Sequence, residues 1–106
     1  MLAVAERTEI ARLWAQKLEQ DTRRLPQSER HRNLEPPSAE FICALAAGIG
    51  ARRIVEIGGS SGISTIALAA AARHTGGRLV SIEKEPLRQA QARETLSRLM
   101  LEPCVD

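Results

Sequence analysis

The segment Arg53-Ile54-Val55-Glu56-Ile57-Gly58-Gly59-Ser60-Ser61-Gly62-Ile63-Ser64-Thr65 reads as a strand, a tight loop and the start of a helix. Ile54, Val55 and Ile57 are apolar and β-branched, the residue types of a strand buried on both faces in a parallel sheet. Gly58-Gly59 breaks the run, and Gly62 follows four positions after Gly58. A glycine-rich turn lets backbone approach a ligand closely, because no Cβ stands in the way. The helix after it aims its free N–H groups at whatever lies above the strand.

Downstream, helical spacing runs from about Ser61 to His74. Ile63, Ile66, Ala67 and the alanine run Ala69 to Ala72 permit close packing on a sheet, and Gly76-Gly77 ends the helix. Leu79-Val80-Ser81-Ile82-Glu83 is the second strand. A strand–helix–strand unit with this crossover length predicts a parallel βαβ unit. Pro86, after the turn Lys84-Glu85, suits a first helical position. The next helix runs to about Met100, with Ala92, Leu96, Leu99 and Met100 as its apolar stripe. Glu102-Pro103 stops it, and Cys104-Val105-Asp106 predicts the start of another strand.

Upstream, residues 2–22 carry a helical stripe of Ile10, Leu13, Trp14 and Leu18. Glu6, Arg7, Glu9, Arg12, Lys17 and Glu19 cover the other face, and Trp14 reads as a packing residue. Residues 23–37 predict a polar connector, since Pro26, Asn33 and Pro36-Pro37 resist regular structure. Ser38 stands where an N-cap would, before a short helix to about Gly48 whose apolar side is Phe41, Ile42, Leu45 and Ala46.

The chain has 106 residues, enough for one domain. Apolar content of 43% and charged content of 26% are ordinary for a soluble globular protein. Aromatic residues make up only 2%, which argues against a nucleic-acid binder built on stacking platforms. The net charge is +2, and Arg23-Arg24 with Arg30-His31-Arg32 is interleaved with Asp21, Glu29 and Glu35. A solvated connector accounts for that pattern; an anion or RNA patch is the alternative. Cys43 and Cys104 are far apart and lack metal-ligand spacing, which fits a reduced cytoplasmic compartment. Cys43 sits in an apolar helical pattern as a small hydrophobe. His31 and His74 have no partner at metal or triad spacing, so no metal ligand and no catalytic residue is assigned. Glu6 and Arg7 interrupt any signal-like apolar run, and no stretch approaches the roughly 20 apolar residues of a membrane span.

Glu56 inside the first strand, the loop Gly58-Gly59-Ser60-Ser61-Gly62, and Glu83 ending the second strand form one ordered set. In open parallel sheets, ligands sit over the carboxyl ends of the strands. A carboxylate there accepts hydrogen bonds from both hydroxyls of a ribose, and it repels a 2′-phosphate. The dinucleotide fingerprint G-x-G-x-x-G has different glycine spacing, which disfavours a dehydrogenase. Glu56 also sits poorly beside a pyrophosphate and well beside an ammonium or sulfonium group. S-adenosylmethionine carries both cations and an unphosphorylated ribose. Each acid alone has a structural reading: Glu56 as a buried carboxylate satisfied by loop N–H groups, Glu83 as a strand-end surface acid.

Val55 to Thr65 resembles the first motif of class I S-adenosylmethionine-dependent methyltransferases, in particular the catechol O-methyltransferase-like group. That group's pattern is an acidic residue, any residue, Gly, three variable residues, Gly, an aromatic and Ser. Ile63 departs from it at the aromatic position. Leu79 to Glu83 resembles the second motif, and the likeness covers about residues 34–106. The resemblance implies a Rossmann-like α/β fold. It also implies that Glu56, Gly58 and the loop Gly59, Ser60, Ser61 and Gly62 border the methionine part of the cofactor. Ser64 would contact its carboxylate or amine end, Glu83 the ribose hydroxyls, and Lys84 would lie beside the adenine. The implied organisation is an N-terminal helix and connector over residues 1–33, then the N-terminal half of a cofactor-binding domain over residues 34–106. That domain would be truncated before its third strand. The implied reaction is O-methyl transfer to a small-molecule acceptor, with no membrane or nucleic-acid partner. The alternative is a nucleoside- or nucleotide-binding module, or an assembly fragment, without turnover. A short parallel sheet would leave an edge unpaired, which predicts instability alone or association, including homodimerisation, through that edge.

Overall fold

A computed structural model describes residues 2–22, 34–58 and 62–106. In chain order the elements are α1 (Val4–Thr22), α2 (Pro36–Gly48), β1 (Arg53–Ile57), α3 (Ile63–Thr75), β2 (Arg78–Ile82) and α4 (Pro86–Arg98). A 3-10 turn, Glu102–Cys104, follows. The basic cluster from Arg23 to Arg32, with Pro26, His31 and Asn33, lies outside the described residues.

β1 and β2 pair in parallel with α3 as the crossover, which is the expected βαβ unit. Ile54 pairs with Leu79, Val55 with Val80 and Glu56 with Ser81. On the far side of β2, Val105 forms a parallel bridge to Leu79. There Asp106 N–H donates to Leu79 O at 2.7 Å, and Ser81 N–H donates to Asp106 O at 3.1 Å. The expected further strand thus starts at Val105, because Cys104 still belongs to the 3-10 turn.

Strand periodicity assigns alternate residues to opposite faces. Ile54, Glu56, Leu79 and Ser81 share the face covered by α3. Val55 and Ile57 share the other face and are 64% and 83% exposed, with Val80 and Ile82 beside them and also exposed. The expectation that β1 is buried on both faces is therefore corrected. Among the described residues nothing covers Val55 and Ile57, so β-branched composition marks a strand without fixing how many of its faces are covered. Among the described residues no strand pairs with the other edge of β1.

The core is built on α3. Ile63, Ile66, Ala67 and Ala69 to Ala72 are all fully buried. α2 packs on α3 through Ala39, Cys43, Ala46 and Ala47. Small residues on both helices let their axes approach closely. Of the expected apolar side, Ala46 is buried and Ile42 half-buried, while Phe41 and Leu45 turn outward. Burial also raises the Cys43 thiol above its ordinary range. α2 starts at Pro36 and not after Ser38: Pro36 and Pro37 fill its first turn behind an extended Glu35. Proline belongs there, since those N–H groups have no intrahelical acceptor.

α1 buries Ile10 and Leu13 of the expected stripe but not Leu18, and two acids join its inner face. Leu2, Glu6, Glu9, Ile10 and Leu13 face inward, Leu18 is exposed, and Trp14 is half-buried with Lys17 Nζ 5.3 Å from its ring centroid. Glu6 is 2% exposed. It accepts both Arg73 guanidinium nitrogens from the end of α3, one of them at 3.0 Å, and the Ala3 N–H at 2.8 Å. That pairing raises the Arg73 pKa. Glu9 accepts from Arg12 Nη2 at 2.5 Å and from Arg98 Nη2 on α4 at 3.2 Å. The acids expected on the solvent face instead fasten α1 to α3 and α4.

α4 ends differently from its predicted stripe. Met100 adopts φ 60° and is 82% exposed, while Leu101 is fully buried. Leu101 N–H donates to Leu96 O at 2.9 Å. The chain reverses in left-handed geometry at Met100, and this delivers the next residue to the core.

Candidate functional site

The glycine turn begins where β1 stops. Gly58 takes φ 78° while its N–H donates to Ile82 O at 2.7 Å, so the sheet ladder extends one residue past the strand. The chain enters α3 at Gly62 with φ 120°, and Ile66 N–H donates to Gly62 O at 2.8 Å. Both φ values strain any residue with a Cβ. At Gly58 a Cβ would meet nothing within 4 Å, so backbone conformation alone requires glycine there. Gly59, Ser60 and Ser61 lie outside the described residues.

Beneath this turn, Glu56 projects from β1 toward α3 and is 7% exposed. Three hydroxyls donate to its carboxylate. Ser64 donates to Oε2, Thr65 Oγ1 to Oε1 at 2.5 Å, and Ser81 Oγ to Oε1 at 2.8 Å. Ser64 and Thr65 occupy the first turn of α3, and Ser81 is the register partner of Glu56 on β2. Desolvating a carboxylate is costly; charge-assisted hydrogen bonds and the adjacent helix N-terminus offset that cost. Among the described residues the donors are side-chain hydroxyls; of the loop N–H groups named by the alternative sequence reading, those of Gly59, Ser60 and Ser61 lie outside the described residues. Glu56 and Ser64 are brought into direct contact. Thr65 and Ser81 were not legible as site residues, because their role depends on the β1–β2 register.

Glu83 follows β2 and is half-buried. It lines a groove of about 340 Å³ together with Thr65, Ser81, Gln89 and Arg93. The Gln89 side-chain amide donates to the Glu83 carbonyl, which fixes the turn into α4. The two hydroxyl donors of Glu56 thus share a groove with Glu83. Lys84 is exposed and is not part of the groove wall.

A second groove of about 410 Å³ lies between α1 and α4, lined by Arg12, Gln16, Glu94 and Arg98 among others. Its two arginines are committed to Glu9. The hydrogen bond from Arg12 holds the Glu9 carboxyl below its usual range, with Arg98 adding to the effect and burial opposing it. This groove is a helix–helix junction bordered by its own ion pairs. Among the described residues, no three His, Cys, Asp or Glu side chains are placed to hold a metal ion, and no helix is long and apolar enough to cross a membrane.

The arrangement offers two carboxylates, Glu56 clamped by Thr65 and Ser81 and Glu83 in the groove those two residues line. One suits a cationic group held against backbone, and the other a neutral donor such as a vicinal diol.

Known proteins share this arrangement of chain. Over 59 residues the sequence is 46% identical to the catechol O-methyltransferase of Mycobacterium tuberculosis (strain ATCC 25618 / H37Rv), a match spanning 56% of this chain and 26% of that protein. The whole chain superposes on the O-methyltransferase from Bacillus cereus in complex with SAH, with a TM-score of 0.73 and 28% identity, and covers 43% of it. The cofactor-bound Rv0187 from MTB matches with a TM-score of 0.68 and 35% identity, over 89% of this chain and 41% of that one. The chain therefore spans less than half the length of these relatives. The likenesses bear out the resemblance to catechol O-methyltransferases and the Rossmann-like class I methyltransferase fold that it implies. With residues 15–102 matching it, the chain belongs to the family described as "Protein of unknown function (DUF1442)".

Proposed function

We propose that the chain is the S-adenosylmethionine-binding portion of a methyltransferase acting on an oxygen of a small-molecule acceptor. One observation carries the reading: a buried, hydroxyl-clamped Glu56 under a positive-φ glycine turn, with Glu83 in the adjoining groove. The donor set fits the cofactor. Glu56 matches its ammonium or sulfonium charge, and Glu83 matches an unphosphorylated ribose diol. Glu56, Gly58 and the loop from Gly59 through Ser60 and Ser61 to Gly62 border the methionine part in this reading. Ser64 reaches its carboxylate or amine end, Glu83 holds the ribose hydroxyls, and Lys84 lies beside the adenine. That the similar O-methyltransferase from Bacillus cereus is in complex with SAH supports the choice of cofactor.

When bound, the cofactor supplies an electrophilic methyl group on sulfur. The chain's own residues hold and orient it, so their contribution is positional. Residues 34–106 form the cofactor-binding portion, and residues 1–33 supply the N-terminal helix and connector. Unbridged Cys43 and Cys104 support a cytoplasmic setting. The open edge of β1 and the exposed Val55 and Ile57 support pairing with a second copy along that edge. Val55→Glu then shifts the chain to monomer in sedimentation velocity; an unchanged sedimentation profile refutes the pairing.

Calorimetric titration of the folded chain with S-adenosylhomocysteine tests the cofactor reading. Saturable one-to-one binding is expected. No heat and no competition, with circular dichroism showing a folded protein, overturns it.

A further inference from the structure

We infer that Thr65 and Ser81 are positioning residues for the amino-acid end of the cofactor, acting through Glu56. The inference rests on the S-adenosylmethionine reading and extends it to two side chains outside the glycine motif. Among the described residues, the two oxygens of Glu56 receive different donors. Oε1 receives two hydroxyl donors, Thr65 from α3 and Ser81 from β2, whereas Ser64 is on Oε2. Thr65 is fully buried, so its hydroxyl is committed to this carboxylate.

Two donors from separate elements on one oxygen fix the rotation of the carboxylate plane. Oε2 is thereby turned toward Ser64, in the first turn of α3, the side where a cationic amine would sit. Charge attraction survives a misaligned carboxylate, but a directional N–H···O bond does not. Removing either hydroxyl frees the plane to rotate and lets Oε2 draw Ser64 away.

Both residues also line the groove that holds Glu83, so a direct contact with the nucleoside is the competing explanation. Two ligands separate them. S-adenosylhomocysteine carries the amino-acid end; 5′-methylthioadenosine has the same adenosine and thioether without it. Affinities are read by calorimetry, or by competition against S-adenosylhomocysteine where binding is weak. Ser81→Ala and Thr65→Val weaken S-adenosylhomocysteine about ten-fold and leave 5′-methylthioadenosine within about two-fold. Ser81→Thr and Thr65→Ser restore the affinity. Equal loss on both ligands, or no loss on either, overturns the inference.

Should either apolar variant fail to fold, Glu56→Gln supplies the same test. That variant loses the preference for S-adenosylhomocysteine over 5′-methylthioadenosine. A retained preference overturns the assignment. A wild-type chain that binds neither ligand overturns the cofactor reading itself, an outcome distinct from selective binding that the hydroxyl variants leave untouched.

Discussion

Replacing Gly77 with alanine should destabilise the fold through one steric contact. An added Cβ would lie 2.4 Å from both Arg52 Cα and Arg52 O, and 2.7 Å from Arg52 C. All three are backbone atoms, so no side chain can swing aside. Relief requires the two segments to part by roughly 1 Å, given that real Cβ contacts rarely fall below 3.4 Å. That displacement falls where Arg78 N–H donates to Arg52 O at 2.9 Å, the first rung of the β1–β2 ladder. Overpacking of this kind costs about 1–3 kcal/mol, and a weakened backbone hydrogen bond adds about 1 kcal/mol. Reduced freedom of the unfolded chain returns about 0.4–1 kcal/mol. The net loss is about 2–3 kcal/mol, or a fall in melting temperature of roughly 10–20 °C for a chain of this size. Gly48→Ala is the control, because a Cβ there meets nothing within 4 Å and its φ is unstrained. That variant should melt at or slightly above the wild-type temperature. Circular dichroism at 222 nm, at one fixed protein concentration, reads both. A Gly77→Ala chain melting within about 3 °C of wild type would refute the close-approach argument.

Arg73→Ala leaves the buried Glu6 carboxylate with the Ala3 N–H as its one remaining donor among the described residues. Part-exposed Arg73 is partly replaced by water, so the expected loss is about 2–3 kcal/mol in denaturant unfolding, and Glu6→Gln in that background recovers part of it. The folded-state pKa of Glu9 is depressed by Arg12 and Arg98. Its stabilising contribution is therefore in place above the unfolded carboxyl pKa and is lost as pH falls through the folded value. Stability of the wild type should drop more steeply than that of Glu9→Gln between about pH 5 and pH 3, as read by denaturant midpoints. Met100→Gly relieves a left-handed φ of 60° at an exposed position and should stabilise by about 0.5–1 kcal/mol in the same assay.

The sequence announced the βαβ unit and the turn well, because local chemistry sets both. β-branched runs, paired glycines and an alanine helix each favour one backbone conformation. Which side of each helix faces inward was less legible. Phe41 and Leu45 are large apolar residues of α2, yet the alanines of α3 select small partners and turn them out. Glu6 and Glu9 look like surface charges until Arg73 and Arg98, distant in sequence, arrive from other helices. The same limit applied at the site. Glu56, the glycines and Glu83 stand out by residue type and order. Thr65 and Ser81 are ordinary hydroxyls whose convergence on Glu56 exists only once the strand register is set.

Amide hydrogen exchange with and without saturating S-adenosylhomocysteine tests the location of the site most directly. Protection is predicted at Gly58, Gly62 and the first turn of α3, and from Ser81 to Lys84 at the end of β2, with Glu83→Ala abolishing the second set first. Protection centred instead on the α1–α4 groove around Arg12 and Arg98, or none at saturation, would contradict the account.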